Sequence, residues 1–203
     1  MGNRYRLISL LVVAVGALVA STGPALGFTL EDFEAYVNNA ELNAAWVPSS
    51  NGTEFLEATA VFERELAMGI SYNCGLGDFS TVFTYDVAQD WTSFTTFSLM
   101  YLGTAGSSSE RLVVELRDQW GNYVRGPAAS GATQALGWTE YSMDISGWAD
   151  REWMKEIRIW VEADGSGSGS IYFDYLLLPN AISVDGDTWS RIKSIYGNKK
   201  RGQ

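Results

Sequence analysis

Two groups of side chains in this sequence have the types and spacing to do chemistry. The first is a set of carboxylates near the two ends of the globular part. "FTLEDFEAY" places Asp32 and Glu34 two residues apart, and "SIYFDYLLL" carries Asp174 inside an otherwise apolar run. A carboxylate flanked by bulky residues needs a partner. Clustered carboxylates repel one another unless a hard cation sits among them, and an oxygen-only ligand set selects Ca²⁺. The alternative is a solvated edge with no metal. The second group is aromatic. The chain holds eight Trp, and several fall on faces that are otherwise polar: Trp160 between Arg158 and Glu162, Trp138 in phase with Glu140, and Trp120 and Tyr123 around the "RDQWGNY" turn beside Glu115 and Arg117. Rings with an apolar face next to hydroxyl-binding side chains are what a sugar platform requires. Packing under a loop or against a helix is the alternative for each ring.

The elements that must position these groups read as strands almost throughout. In "RLVVELRD", Leu112, Val114 and Leu116 take one face and Glu115 and Arg117 the other. In "EIRIWVE", Ile157, Ile159 and Val161 oppose Arg158, Trp160 and Glu162. "TEFLEATAVFE", "DFSTVFTYDV", "FTTFSLMYLG" and "GWTEYSMDIS" are equally rich in β-branched and aromatic residues, with turn residues between many of them. Roughly nine or ten short strands at this spacing make an all-β fold, an antiparallel β-sandwich or jelly roll. In the last strand, strict alternation predicts that Ile171, Phe173 and Tyr175 share a face opposite Tyr172 and Asp174. "WADREWMKE" reads as one or two helical turns before its strand. "DTWSRIKSIYG" reads as a short C-terminal helix carrying Trp189, Ile192 and Ile195 and stopping at Gly197.

The run "GSGSGS" raises the question of a phosphate cradle. Such a loop stands between a buried parallel strand and a helix N-terminus, with a Lys in the nucleoside-triphosphate case. Here no helix or Lys follows, so the run is expected to be a long hairpin turn into the last strand.

Composition narrows the function further. The chain has no His, which removes Ser-His and Cys-His nucleophile systems and the common zinc sites. A pair of acids of the glycosidase kind stays open in principle, but no motif marks one, and the expectation is a protein that is not an enzyme. Residues 28–180 hold 22 acidic and 7 basic side chains, a balance that repels phosphate backbones and so excludes nucleic acid as a partner of the main domain. Cys74 is the only cysteine; it is expected as a small apolar core residue, and stability must come from packing rather than disulfides. Residues 1–27 have the form of a secretory signal: basic "MGNRYR", an apolar run of 14 residues, then "STGPALG", with cleavage before Phe28. This predicts a protein that is secreted or placed in the periplasm or cell envelope, with no transmembrane segment after cleavage. Residues 28–180 form the β-sandwich. Residues 181–203 form the C-terminal helix and a basic tail, "GNKKRGQ", that could meet a cell-surface partner.

"LEDFE", "RLVVELRDQWGN", "GWTEYSMDISG" and "KEIRIWVEADGSGSGSIYFDYLLL", with the spacing among them, resemble the galactose-binding-like β-sandwich domains. Within these the chain is similar to carbohydrate-binding modules of family 11, and to the mitochondrial complex-I assembly factors of related fold. The resemblance covers residues 28–180. It implies a structural calcium at Asp174, assisted by Asp32 or Glu34, and a polysaccharide or glycan partner; the residues read above as a sugar platform, Trp160, Arg117, Trp120, Tyr123 and Trp138, are the candidates to hold it by ring stacking and hydrogen bonds. Such modules usually accompany a catalytic domain, which is not expected in this chain. The competing class is a structural or protein-interaction module of the cell envelope.

Overall fold

The computed structural model describes residues 28–179 apart from 63, 165 and 166. The signal sequence expected at residues 1–27 and the helix and tail expected at 181–203 therefore lie outside the described residues. Eleven strands are present among those described: β1 (Phe28–Glu31), β2 (Trp46–Pro48), β3 (Gly52–Glu57), β4 (Ala67–Asn73), β5 (Phe79–Gln89), β6 (Thr96–Gly103), β7 (Arg111–Asp118), β8 (Tyr123–Arg125), β9 (Thr139–Asp144), β10 (Met154–Glu162) and β11 (Ser168–Leu178). They form two antiparallel sheets. In one, the order is β3-β4-β11-β6-β9, with β1 added beside the end of β11; in the other it is β2-β5-β10-β7-β8.

Alternation builds the core between the sheets. The first sheet contributes Met68, Ile70 and Tyr72 from β4, Phe97, Leu99 and Tyr101 from β6, Tyr141 and Met143 from β9, and Ile171 and Phe173 from β11. The second contributes Phe79, Leu112, Val114, Leu116, Ile157, Ile159 and Val161. Cys74 is buried and free, with its Sγ 3.6 Å from the Val161 carbonyl. Burial, seconded by Glu110, pushes its thiol up to about 11, so it behaves as a core residue and not as a nucleophile.

Four local expectations change. The Gly-Ser run is no hairpin turn: β10 has β5 on one edge and β7 on the other, so β11 has no open edge to join and the chain crosses to the opposite sheet. Glu110, buried at the start of β7, accepts from the backbone N–H groups of Asp164 and Gly167 on either side of this crossing. Secondly, β11 does not alternate to its end. Tyr175 takes φ +54° and the register against β6 slips between Asp174 and Leu177, a β-bulge. Leu176 and Leu178 therefore join the core in place of Tyr175, which turns out towards Phe62. The stretch "TEFLEATAVFE" is strand only to Glu57, whose carboxylate accepts from the Thr59 N–H and turns the chain into a loop over residues 58–66. Finally, α1 (Asn39–Ala45) was not foreseen. Its signal is the Asn38 cap, which accepts from Glu41 N while Glu41 accepts from Val37 N. The turns in "WADREWMKE" are present as a 3₁₀ segment, Ala149–Trp153.

Candidate functional site

The outward face of the second sheet is assembled by register alone. β10 presents Glu156, Arg158, Trp160 and Glu162 outward. Opposite them on β7 stand Arg117, Glu115, Val113 and Arg111. On the other side, β5 sets Thr84, Val82 and Ser80 against Glu156, Arg158 and Trp160. β8 completes the rows, with Tyr123 opposite Arg117 and Arg125 opposite Glu115. Most inward neighbours are apolar, with Thr81 on β5 and Asp118 on β7 as exceptions, so these strands divide into a core face and a largely polar outer face that also carries Val82 and Val113.

Four of the seven basic residues of the domain stand on this face, and each meets a glutamate. Arg117 Nε lies 2.5 Å from Glu115 Oε1, and Arg158 Nη2 lies 2.8 Å from Glu156 Oε2. Glu162 receives both Arg125 and Arg111, the latter at 3.8 Å. Arg117 also lies over the Tyr123 ring, 5.7 Å from its centroid. Partly exposed pairs such as Arg158–Glu156 contribute only about 0–1 kcal/mol each to stability, whereas the Glu115 carboxylate is itself buried and depends on its arginine. Their effect is positional: they fix guanidinium donors beside carboxylate acceptors, which is the pairing that vicinal hydroxyls on one ring can satisfy.

Trp160, Arg117 and Tyr123 are thus brought to one face, and Trp120 borders it. Trp120 sits in the β7–β8 turn, which Asp118 organises from a buried position. Asp118 Oδ1 accepts from Trp120 N at 2.8 Å and Asn122 N at 2.9 Å, Oδ2 accepts from Asn122 Nδ2 at 2.7 Å, and Gly121 supplies the positive φ of +88°. Trp138 is not brought in. It precedes β9 and packs on Phe62, ring centroids 5.7 Å apart, on the side of the other sheet. Sequence reasoning singled out neither Arg125 nor Arg111 nor Trp153 as site residues. The first was within reach, because a hairpin that pairs Arg117 with Tyr123 must also pair Glu115 with Arg125.

The three candidate metal ligands converge on one loop by a different route. β1 pairs with β11 but stops at Glu31, so Asp32 and Glu34 are not strand residues. Asp32 and Glu34 lie in the turn beyond, where Phe33 takes φ +61° and Glu31 accepts from the N–H groups of Asp32 and Phe33. Asp174 Oδ2 accepts from Phe62 N at 2.9 Å. Glu34 Oε1 accepts from Glu65 N and Leu66 N, both at 2.8 Å, and Asp32 pairs with Arg64 at 2.5 Å. All three therefore hold the 58–66 loop across the outer side of β11. Among the described residues no three such side chains stand close enough together to hold an ion. As arranged, the three carboxylates serve N–H and guanidinium donors.

No family model matches the chain, and no curated protein matches its sequence. Solved structures do. The family 11 carbohydrate-binding module from Clostridium thermocellum, determined in complex with a β-1,3-1,4-mixed-linked tetrasaccharide, superposes with a TM-score of 0.55 at 15% identity, over 79% of this chain and 99% of that one. The fold is that of the carbohydrate-binding-module β-sandwich. The xylan-binding domain of family 22 superposes with a TM-score of 0.51 at 12% identity, over 80% of this chain and 99% of that one. An exo-β-agarase gives 0.60 at 13% identity over 80% of this chain, which spans 26% of that enzyme. The carbohydrate-binding-module fold thus comes without close sequence kinship, and a glycan site in this chain has to be argued from its own residues. No helix among the described residues is long and apolar enough to cross a membrane.

Proposed function

We propose that this protein is an exported, non-catalytic glycan-binding module whose site is the outward face of β5, β10, β7 and β8. The observation that carries the reading is the register that sets Trp160, Tyr123 and the Arg–Glu pairs on one side of one sheet. Binding proceeds without bond making or breaking. The apolar face of a pyranose ring lies on an indole or phenol ring, and hydroxyls exchange water for the paired guanidinium and carboxylate groups. Because those pairs are already in contact, little side-chain entropy is lost when the ligand arrives. Export rests on residues 1–27 as read from the sequence.

Retention of the purified protein on mixed-linkage β-glucan, xylan and agarose tests this. At least one is expected to retard it in affinity electrophoresis. Trp160→Ala is expected to weaken that binding at least tenfold, about 1.4 kcal/mol or more. Trp138→Ala, on the other sheet, leaves it unchanged. Equal retention of parent and Trp160→Ala would sink the reading. A folded parent retained by no glycan would favour the envelope-interaction class instead.

A further inference from the structure

We infer that Trp120 and Trp153 form a second sugar subsite at the end of the same sheet, so that the ligand is an extended polysaccharide and not a short oligosaccharide. This inference rests on the glycan-binding reading above. The two indoles meet edge to face, ring centroids 5.7 Å apart at 70°, and both are open to solvent, at 63% and 41% exposure. A single exposed apolar residue calls for no explanation, but two adjacent exposed tryptophans do.

The pair is rigidly held. Trp120 is clamped through its N–H by buried Asp118, the Gln119 N–H donates to the Trp153 carbonyl at 3.0 Å, and Trp153 Nε1 donates to Glu152 Oε1 at 2.7 Å. Its occupant follows from its surroundings. Gln119, Asn122 and Glu152 are exposed around the two rings, so the apolar area ends at once in amide and carboxylate groups. That combination fits the apolar face and hydroxyl rim of a sugar, whereas a protein partner would want apolar area continuing beyond the pair. The subsite is also continuous with the main face. It caps β7 and β10, the strands that carry Arg117 and Trp160, and Tyr123 begins three residues after Trp120 in the same hairpin. Trp153 and Trp160 stand seven residues apart on one strand and its approach, roughly 20 Å at strand rise, which is longer than a disaccharide.

The test is an affinity series against chain length, on the glycan that retains the parent, from the shortest oligosaccharide that binds to the polymer. The variants are Trp160→Ala, Trp120→Ala, Trp153→Ala and the double Trp120→Ala/Trp153→Ala, each checked for an unchanged melting temperature. The expected result is that the double variant loses about fivefold or more on the polymer and nothing on the shortest oligosaccharide, while Trp160→Ala weakens both. Trp120→Phe, which keeps a ring, should recover part of the polymer affinity. A double variant that binds every length like the parent overturns the subsite and leaves the main site standing. Equal loss at all lengths overturns it too, since the pair would then be acting on the main face. A parent that binds no glycan of any length overturns the underlying reading, and the subsite with it.

Discussion

Glu54→Gln will raise the melting temperature at pH 8 by roughly 6–12 °C and change it little at pH 4.5. Glu54 stands opposite Ile70 on β3, so its side chain points between the sheets, where it is 3% exposed. Neither carboxylate oxygen has a hydrogen-bond partner among the described residues, and the Thr81 hydroxyl across the core has none either. Thr81 lies close enough to favour ionisation slightly but makes no bond of ordinary geometry, and burial wins: the Glu54 carboxyl is pushed up from 4.5 to about 7. A folded value above the unfolded one means that, between about pH 4.5 and 7, the native state keeps a proton that the unfolded state has already released. Stability therefore falls as pH rises through that window and is not regained above it. The loss is about 3 kcal/mol at 1.36 kcal/mol per pH unit.

Gln is neutral at every pH and can donate to Thr81 Oγ1, so the variant escapes this loss. Burial raises Glu31 as well, and its contribution, of the same sign, stays in both proteins. Melting curves of parent and variant from pH 4.5 to 8 should diverge as pH rises; parallel curves would show that Glu54 stays neutral or finds solvent.

The second large effect concerns the loop held by three carboxylates. Asp174→Ala is expected to cost about 2–3 kcal/mol, because it removes a buried acceptor and leaves the Phe62 N–H, and the rings packed around it, without an anchor. Phe62 carries Trp138 on one side and Tyr175 on the other, so the loop is expected to loosen as a unit. Asp174→Asn keeps an oxygen acceptor and should recover part of the loss. The same measurement tests the calcium expected from the sequence. Anything bound only to the native state raises its melting temperature in proportion to the logarithm of its concentration. The parent is expected to melt at one temperature with calcium or with chelator. A calcium-dependent shift in the parent that disappears in Asp174→Ala would place a metal at Asp174, with Asp32 or Glu34 beside it and Arg64 and the loop displaced to admit it.

What could be read in the sequence and what could not divide along the range of the interactions. The polar and apolar faces of β7 and β10 were legible because a two-residue period is local, and it put Trp160, Arg117 and Glu115 on outward positions correctly. Pairing order was not local. Nothing in "GSGSGS" reveals that β10 is already flanked on both edges, so the crossing between sheets read as a turn. The bulge at Tyr175 was equally hidden, since a strained φ at a tyrosine is imposed by the need to seat both Phe173 and Leu176 in the core. Trp138 and Trp120 look alike in the sequence, each an aromatic beside polar residues. Only tertiary packing sends one under the loop and leaves the other exposed beside Trp153, some thirty residues away.

The place of β11 in this architecture also sets the order in which the molecule can assemble. It is the last strand described and the centre of its sheet, with β6 along one side and β4 and then β1 along the other. Until residues 168–178 have left the ribosome, β3–β4, β6–β9 and β1 are fragments with no common neighbour, and the first sheet cannot close. Such long-range pairing makes folding slow and late. A chain ending before residue 168 would accordingly be no smaller version of this module: it would lack the strand that joins its parts, and its exposed edges would be available to other chains.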